Sequence, residues 1–139
     1  MRADFYLIAK PRFREQPLLL VCALVQKAVA QKLPLLILAR DFAQAEEIDD
    51  LLWAFDEDAF IPHQLAGHDD DAEVPVLIVP PGLDTPDRPL AINLRPDMPT
   101  GQFDRVLEVV PADPAERKGS RQRWRQYQQI GADLAKHDM

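Results

Sequence analysis

Cysteine is almost absent from this 139-residue sequence, and glycine is scarce. The lone thiol, Cys22, lies in the apolar run 18–25. That excludes a disulfide framework or a cysteine-based metal site within the chain and predicts a buried, inert side chain. Only five glycines occur, Gly67, Gly82, Gly101, Gly119 and Gly131, and none belongs to a GxGxxG or GxxxxGK(S/T) arrangement. The first apolar run leads instead into "KPRFREQP", whose bulky residues and prolines do not bring consecutive backbone N–H groups onto a phosphate. The run "PLLLVCALV" falls far short of the roughly 20 residues needed to span a bilayer. No small-residue cleavage site follows it, and "MRADFYLIAK" has the pattern of a strand rather than a signal peptide. The expectation is a soluble, cytoplasmic protein that does not engage a membrane.

Catalytic groupings are also missing. His63 and His68 are five apart, off the i, i+4 spacing of a helical metal pair, and His137 lies near the end of the sequence. These histidines are expected to be structural or superficial, with no metal and no cofactor. Ser120 is the only serine, and it lies in a cluster of arginines with no adjacent base. The acids at 56–58 and 69–71 are contiguous. Such runs lack the separate environments that drive carboxyl pKa values apart, and both are expected to be solvated. No catalytic residue is predicted.

Charge is present but unevenly spread. The net charge is −7, whereas direct nucleic-acid binding usually needs a basic field. From Asp41 to Glu73 there are twelve acids and no Lys or Arg; from Ala115 to Gly131, Arg117, Lys118, Arg121, Arg123 and Arg125 face only Glu116. A basic helix on an acidic protein is the sharpest asymmetry in the sequence.

Apolar periodicity predicts strands at 3–9, 34–39, 74–80, 90–94 and 104–110 and helices at about 13–32, from Asp41 through Phe55, and from Asp113 or Pro114 to about Ala135. Asp41 with Gln44 three residues on forms a capping-box pattern, and Ile48, Leu51, Leu52 and Phe55 make an inward stripe. The length suits one domain over 1–139, of α/β class with a mostly parallel sheet. The thirteen prolines fall mainly at element boundaries.

Two surfaces stand out. On the last helix Arg123, Tyr127, Ile130 and Leu134 follow a path that can lie on the sheet, with the Arg123 stem snorkelling at its edge. Arg117, Arg121 and Arg125, each four apart, form a basic stripe beside Trp124. That stripe is either a solvated face or a small anion site with an apolar slot, suited to an acidic peptide ending in an apolar residue. The second surface is "LLWAFDEDAFIPHQLAG" (51–67). Trp53 falls about 100° around the helix from Leu52, at the flank of the stripe. Either Trp53, Phe60 and Ile61 close the core edge, or Trp53, Phe60 and Pro62 anchor a permanent partner.

The segments "ADFYLI", "LLWAFDEDAFIPHQLAG" and "RQRWRQYQQIGADL" together resemble the chi subunit of bacterial DNA polymerase III holoenzyme, in order and spacing over nearly the whole chain. The resemblance implies a single three-layer Rossmann-like α/β domain lacking a phosphate-binding loop. It implies a non-catalytic accessory subunit that bridges the clamp loader, through the small psi subunit, to single-stranded-DNA-binding protein, touching nucleic acid only indirectly. The tail of that protein ends in acids followed by an aromatic residue bearing the terminal carboxylate. By the resemblance, Arg121 is the key tail-binding arginine and Arg117 and Arg125 are its basic flanks. Trp124 stands where the family often has tyrosine, Val110 lines the same slot, and Trp53, Phe60 and Pro62 meet psi. By the resemblance, the family usually places a polar C-terminal extension near the tail site; with the sequence closing on "AKHDM", contacts from such an extension are not expected. The competing reading is a nucleotide-dependent or helicase-like enzyme, favoured only by the alternating α/β pattern. Direct stacking of Trp124 on single-stranded DNA is disfavoured by the net charge.

Overall fold

Consecutive apolar residues build the middle of the sheet, and helices cover it on both sides. The computed structural model describes residues 1–55 and 60–139. In chain order the elements are β1 (Arg2–Leu7), α1 (Pro11–Glu15), α2 (Leu18–Ala30), β2 (Leu35–Leu38), α3 (Phe42–Ala54), β3 (His63–Leu65), β4 (Val76–Val79), β5 (Leu90–Asn93), β6 (Arg105–Val110), α4 (Lys118–Gln129) and β7 (Asp133–Asp138). One seven-stranded sheet has the order β3-β4-β2-β5-β6-β1-β7, and each neighbouring pair is parallel. β2, β4 and β5 are buried at all four positions, as parallel strands between two layers must be.

Alternation of side chains divides the core. Tyr6, Ile8, Ile37, Ile78 and Ile92 face one way and pack with α1, α2 and α3. Phe5, Val106 and Val110 face the other way and pack with Tyr127 of α4. Leu36, Leu38, Leu77 and Val79 share that second face with Ala66 and Phe103. The three-layer α/β arrangement expected above is therefore observed.

Several local expectations need correction. The helix expected at 13–32 is two helices, because Pro17 has no N–H to extend the first and its ring disfavours helical backbone at Gln16 (φ −135°, ψ 84°). The last helix stops at Gln129. Gly131 adopts φ 76° and donates to Gln128 O, and Ala132 N–H donates to Tyr127 O, a left-handed glycine cap that turns the chain out of the helix. Leu134 accordingly belongs to the edge strand β7, and Ile130 is exposed rather than on the sheet. β3 was not expected as a strand; its three residues carry too little pattern, and pairing with β4 defines it.

The acids at 69–71 are not all solvated. Asp71 is buried and accepts hydrogen bonds from Gly67 N, His68 N and Gln64 Nε2 at 2.9, 3.3 and 2.7 Å. Arg88 beside it donates to the carbonyls of Asp71, Val74 and Pro75, tying this loop to the start of β4. Asp56, Glu57 and Asp58 lie outside the described residues. Asp41 caps α3 as expected, its Oδ1 accepting from Gln44 N at 2.8 Å, while Gln44 Oε1 reaches one residue past the cap and accepts from Arg40 N at 2.7 Å.

Candidate functional site

Helix α4 is clamped to the sheet by a buried polar cluster. Glu108, in the middle of β6, is fully buried and accepts from Arg123 Nε, Asn93 Nδ2 and Tyr127 Oη, each at 2.8 Å. Burial raises the Glu108 carboxyl above its ordinary range, and the Arg123 guanidinium opposes that shift. Burial, with Glu108 alongside, pushes the Tyr127 hydroxyl up, so it stays protonated and donates. Arg123 also donates to Pro96 O at 2.9 Å. It is thus a half-buried structural partner whose guanidinium turns to Glu108, not the edge-snorkelling side chain expected from the sequence. The short turn Pro114–Glu116 leads into α4, with Asp113 accepting from Ala115 N at 2.9 Å.

With Arg123 and Tyr127 turned inward, the adjoining face of α4 borders a groove against β1, β6 and β7. The Trp124 ring meets Phe5 edge-on at 5.0 Å between centroids and 70° between planes. Phe5, Leu7, Val110 and Trp124 form the apolar part of a cavity of about 440 Å³, and Arg117, Arg121, Arg125 and Lys136 supply its cations. Ser120 and Gln128 complete the lining, which contains no acid. The five residues singled out in the sequence, Val110, Arg117, Arg121, Trp124 and Arg125, are thus brought together around one cavity.

The cations differ in availability. Arg117 donates from Nε to Pro111 O at 2.8 Å and from Nη2 to Ala112 O at 3.0 Å, so much of its guanidinium closes the end of the groove. Arg121, Arg125 and Lys136 are exposed, and their side chains form no ion pair or hydrogen bond among the described residues. Such a site can hold an anion beside an aromatic group. Sequence reasoning missed Phe5, Leu7 and Lys136. Lys136 was hidden by the expected helix, although Gly131 followed by alternating "DLAKHD" was a usable strand signal.

The second surface lies at the opposite edge of the sheet and on its other face, where α3 meets β3. Trp53 is 58% and Phe60 71% exposed, with ring centroids 5.9 Å apart. Pro62 is half-buried, and Ile61 turns into the core. Trp53 leans on the buried His63 ring at 4.7 Å. His63 Nδ1 donates to Ile61 O at 2.6 Å, and Nε2 faces Asp49 Oδ1 at 3.1 Å without the alignment of a hydrogen bond. Trp53 and Phe60 therefore form one outward pair, Trp53 resting on a fixed imidazole, with the half-buried Pro62 two residues beyond Phe60 in the chain.

Among the described residues no group of three or more His, Cys, Asp or Glu side chains is placed to hold a metal ion, and no helix is long and apolar enough to cross a membrane.

Comparison with known proteins agrees with this architecture. Residues 1–135 match the family model described as DNA polymerase III chi subunit, HolC. The chain is 40% identical over 143 residues to DNA polymerase III subunit chi of Pseudomonas aeruginosa, covering 98% of this chain and 95% of the relative. It is 34% identical over 103 residues to the subunit chi of Haemophilus influenzae, covering 72% of each chain. It is 31% identical over 119 residues to that of Escherichia coli, covering 83% of this chain and 80% of the relative. The chain belongs to the DNA polymerase III chi subunit family, and so to the accessory subunits of the replicative polymerase.

Proposed function

We propose that this chain is a non-catalytic adaptor, joining the clamp-loader complex to single-stranded-DNA-binding protein by holding that protein's acidic C-terminal tail in the α4 groove. The observation that carries this reading is the set of unpartnered cations, Arg121, Arg125 and Lys136, beside the Phe5–Trp124 slot on a chain of net charge −7. An acidic protein that gathers four cations around one acid-free apolar cavity is matched to a partner that offers negative charge and an aromatic group together. In this reading the terminal carboxylate goes to Arg121, the terminal aromatic ring enters the slot over Val110 against Trp124, and Arg117 and Arg125 flank the acids. Bidentate guanidinium–carboxylate pairing gives orientation as well as attraction.

Trp53, Phe60 and Pro62 form the second contact, toward the psi subunit of the clamp loader. Their place at the far edge and opposite face of the sheet leaves both surfaces free to be occupied at once. Nucleic acid is engaged only through the partner, no cofactor is required, and the setting is cytoplasmic.

A thermal-shift comparison separates this adaptor from a nucleotide-dependent enzyme. The acidic, aromatic-ended tail peptide is expected to raise the melting temperature, and ATP with magnesium to leave it unchanged. Stabilisation by the nucleotide alone would overturn the proposal.

A further inference from the structure

We propose that Lys136 is a specificity-determining residue of the α4 groove, pairing with an acidic side chain of the bound peptide across the aromatic slot from Arg121 and Arg125. The inference rests on reading the groove as a site for an acidic, aromatic-ended tail, and it assigns a role to a strand that the sequence pattern had concealed. Lys136 pairs in register with Phe5, so its side chain shares the sheet face on which the Phe5 ring meets Trp124. The slot is therefore bordered by the arginines of α4 on one wall and by Lys136 of β7 on the other.

Lys136 is also held in place. β7 pairs with β1 over six positions, and Asp133 N and Met139 N donate to Met1 O and Leu7 O beyond each end. On the reverse face the next residue, His137, reaches buried Asp4 Oδ1 at 2.8 Å and stacks on Tyr6 at 4.7 Å. The strand is thus fixed from behind while the Lys136 ammonium stays exposed toward the groove. Asp138, two residues along on the same face, forms no ion pair with it.

Cations on two walls define the ligand class. A single carboxylate satisfies one wall only. A peptide whose terminal aromatic residue follows acidic side chains carries two separable anions: its terminal carboxylate for Arg121 and an upstream side chain for Lys136. An ammonium suits the second role, because it binds as a point charge and tolerates a flexible acidic partner.

Calorimetric titration with three synthetic peptides tests this assignment. They are the acidic tail with an aromatic C-terminal residue, the same peptide with its acids replaced by the corresponding amides, and the acidic peptide with its terminal carboxyl amidated. Lys136→Met is expected to weaken the first peptide roughly threefold to tenfold, in the range of a partly desolvated charge pair. Lys136→Glu should weaken it on the order of tenfold or more through like-charge repulsion. The Lys136→Met loss should vanish with the amide-substituted peptide and persist with the carboxyl-amidated one. Equal affinity of wild type and Lys136→Met for the first peptide, or a loss that survives removal of the acids, overturns the assignment. Binding that fails in Arg121→Ala but ignores Lys136→Met leaves the groove reading standing and sinks the Lys136 role alone. No binding by the wild type removes both. Unchanged melting curves for the Lys136 variants are expected, since the side chain is exposed and unpartnered.

Discussion

Arg123 and Glu108 meet inside the protein, Nε to Oε1 at 2.8 Å, with the carboxylate fully buried and the guanidinium nearly so. The pair joins α4 to the middle of the sheet, and the geometry of the groove follows from it. If Arg123 and Tyr127 are held inward, the 3.6-residue turn directs Arg121, Trp124 and Arg125 to the groove.

Removing one member of this pair strands the other. Arg123→Met is expected to destabilise the domain by about 3–5 kcal/mol at neutral pH, measured by urea denaturation. The Glu108 carboxyl is already raised by burial, so in the fold it binds a proton more readily than in the unfolded chain. Such a group supports the fold fully below its unfolded pKa, and that support is lost as pH rises through the folded value. Without Arg123 the folded value climbs further. The deficit of Arg123→Met should therefore shrink as pH falls from 8 toward 5.

Asp4 shows the opposite sign. Burial would raise its carboxyl, but hydrogen bonds from Arg2, His137 and Arg105, at 2.9, 2.8 and 2.7 Å, outweigh burial and hold it below the usual range. Its contribution is present above the unfolded pKa and is lost as pH falls through the lowered folded value. Asp4→Asn should cost about 1.5–3 kcal/mol at pH 7. The gap in melting temperature between wild type and variant should begin to narrow below about pH 4, where the unfolded chain takes up the proton, and close only once pH has fallen through the lowered folded value.

Arg121→Ala should weaken the tail peptide about tenfold or more, since charge-assisted contacts contribute roughly 1.5–3 kcal/mol each. Folding should be intact, because the side chain is exposed and unpartnered. Added salt should weaken an acidic peptide more than one shortened to its aromatic end. Equal affinity for wild type and variant in a titration would mean that the stripe is a solvated face.

At the other edge, Phe60→Ala is expected to change stability by about 0.5 kcal/mol or less while abolishing capture of the clamp-loader partner in a pull-down. Ile61→Ala, one residue along and buried, should cost about 2–5 kcal/mol. Equal destabilisation by the two changes would assign Phe60 to the core.

Burial pushes the Cys22 thiol up to about 11. The native protein should therefore resist thiol reagents at pH 8, and reactivity should appear only with unfolding, followed by absorbance during a denaturant titration.

The sequence by itself determined the alternation of apolar runs that became β1, β2, β4, β5 and β6, the Asp41 cap and the basic stripe. These depend on neighbours a few residues apart, where period and capping chemistry act. It also carried the order of motifs that identified the family. It did not determine β7, because "IGADLAKH" satisfies a helical spacing almost as well as a strand. The choice came from the left-handed turn at Gly131 and from the open edge of β1, which gave the segment six parallel pairings. Nor could local pattern, which placed the Arg123 stem at the sheet edge, say where its guanidinium would go, because its partner Glu108 comes from β6, fifteen residues away. The same holds for Asp71, one of three contiguous acids, which alone turns inward to accept from the Gly67–His68 backbone. For β7 and Arg123 a long-range partner offset the desolvation of backbone groups or of a charge, and such partners exist only once the sheet has assembled; for Asp71 the partners are three to seven residues away, and the loop conformation that aims them inward is what local pattern does not show.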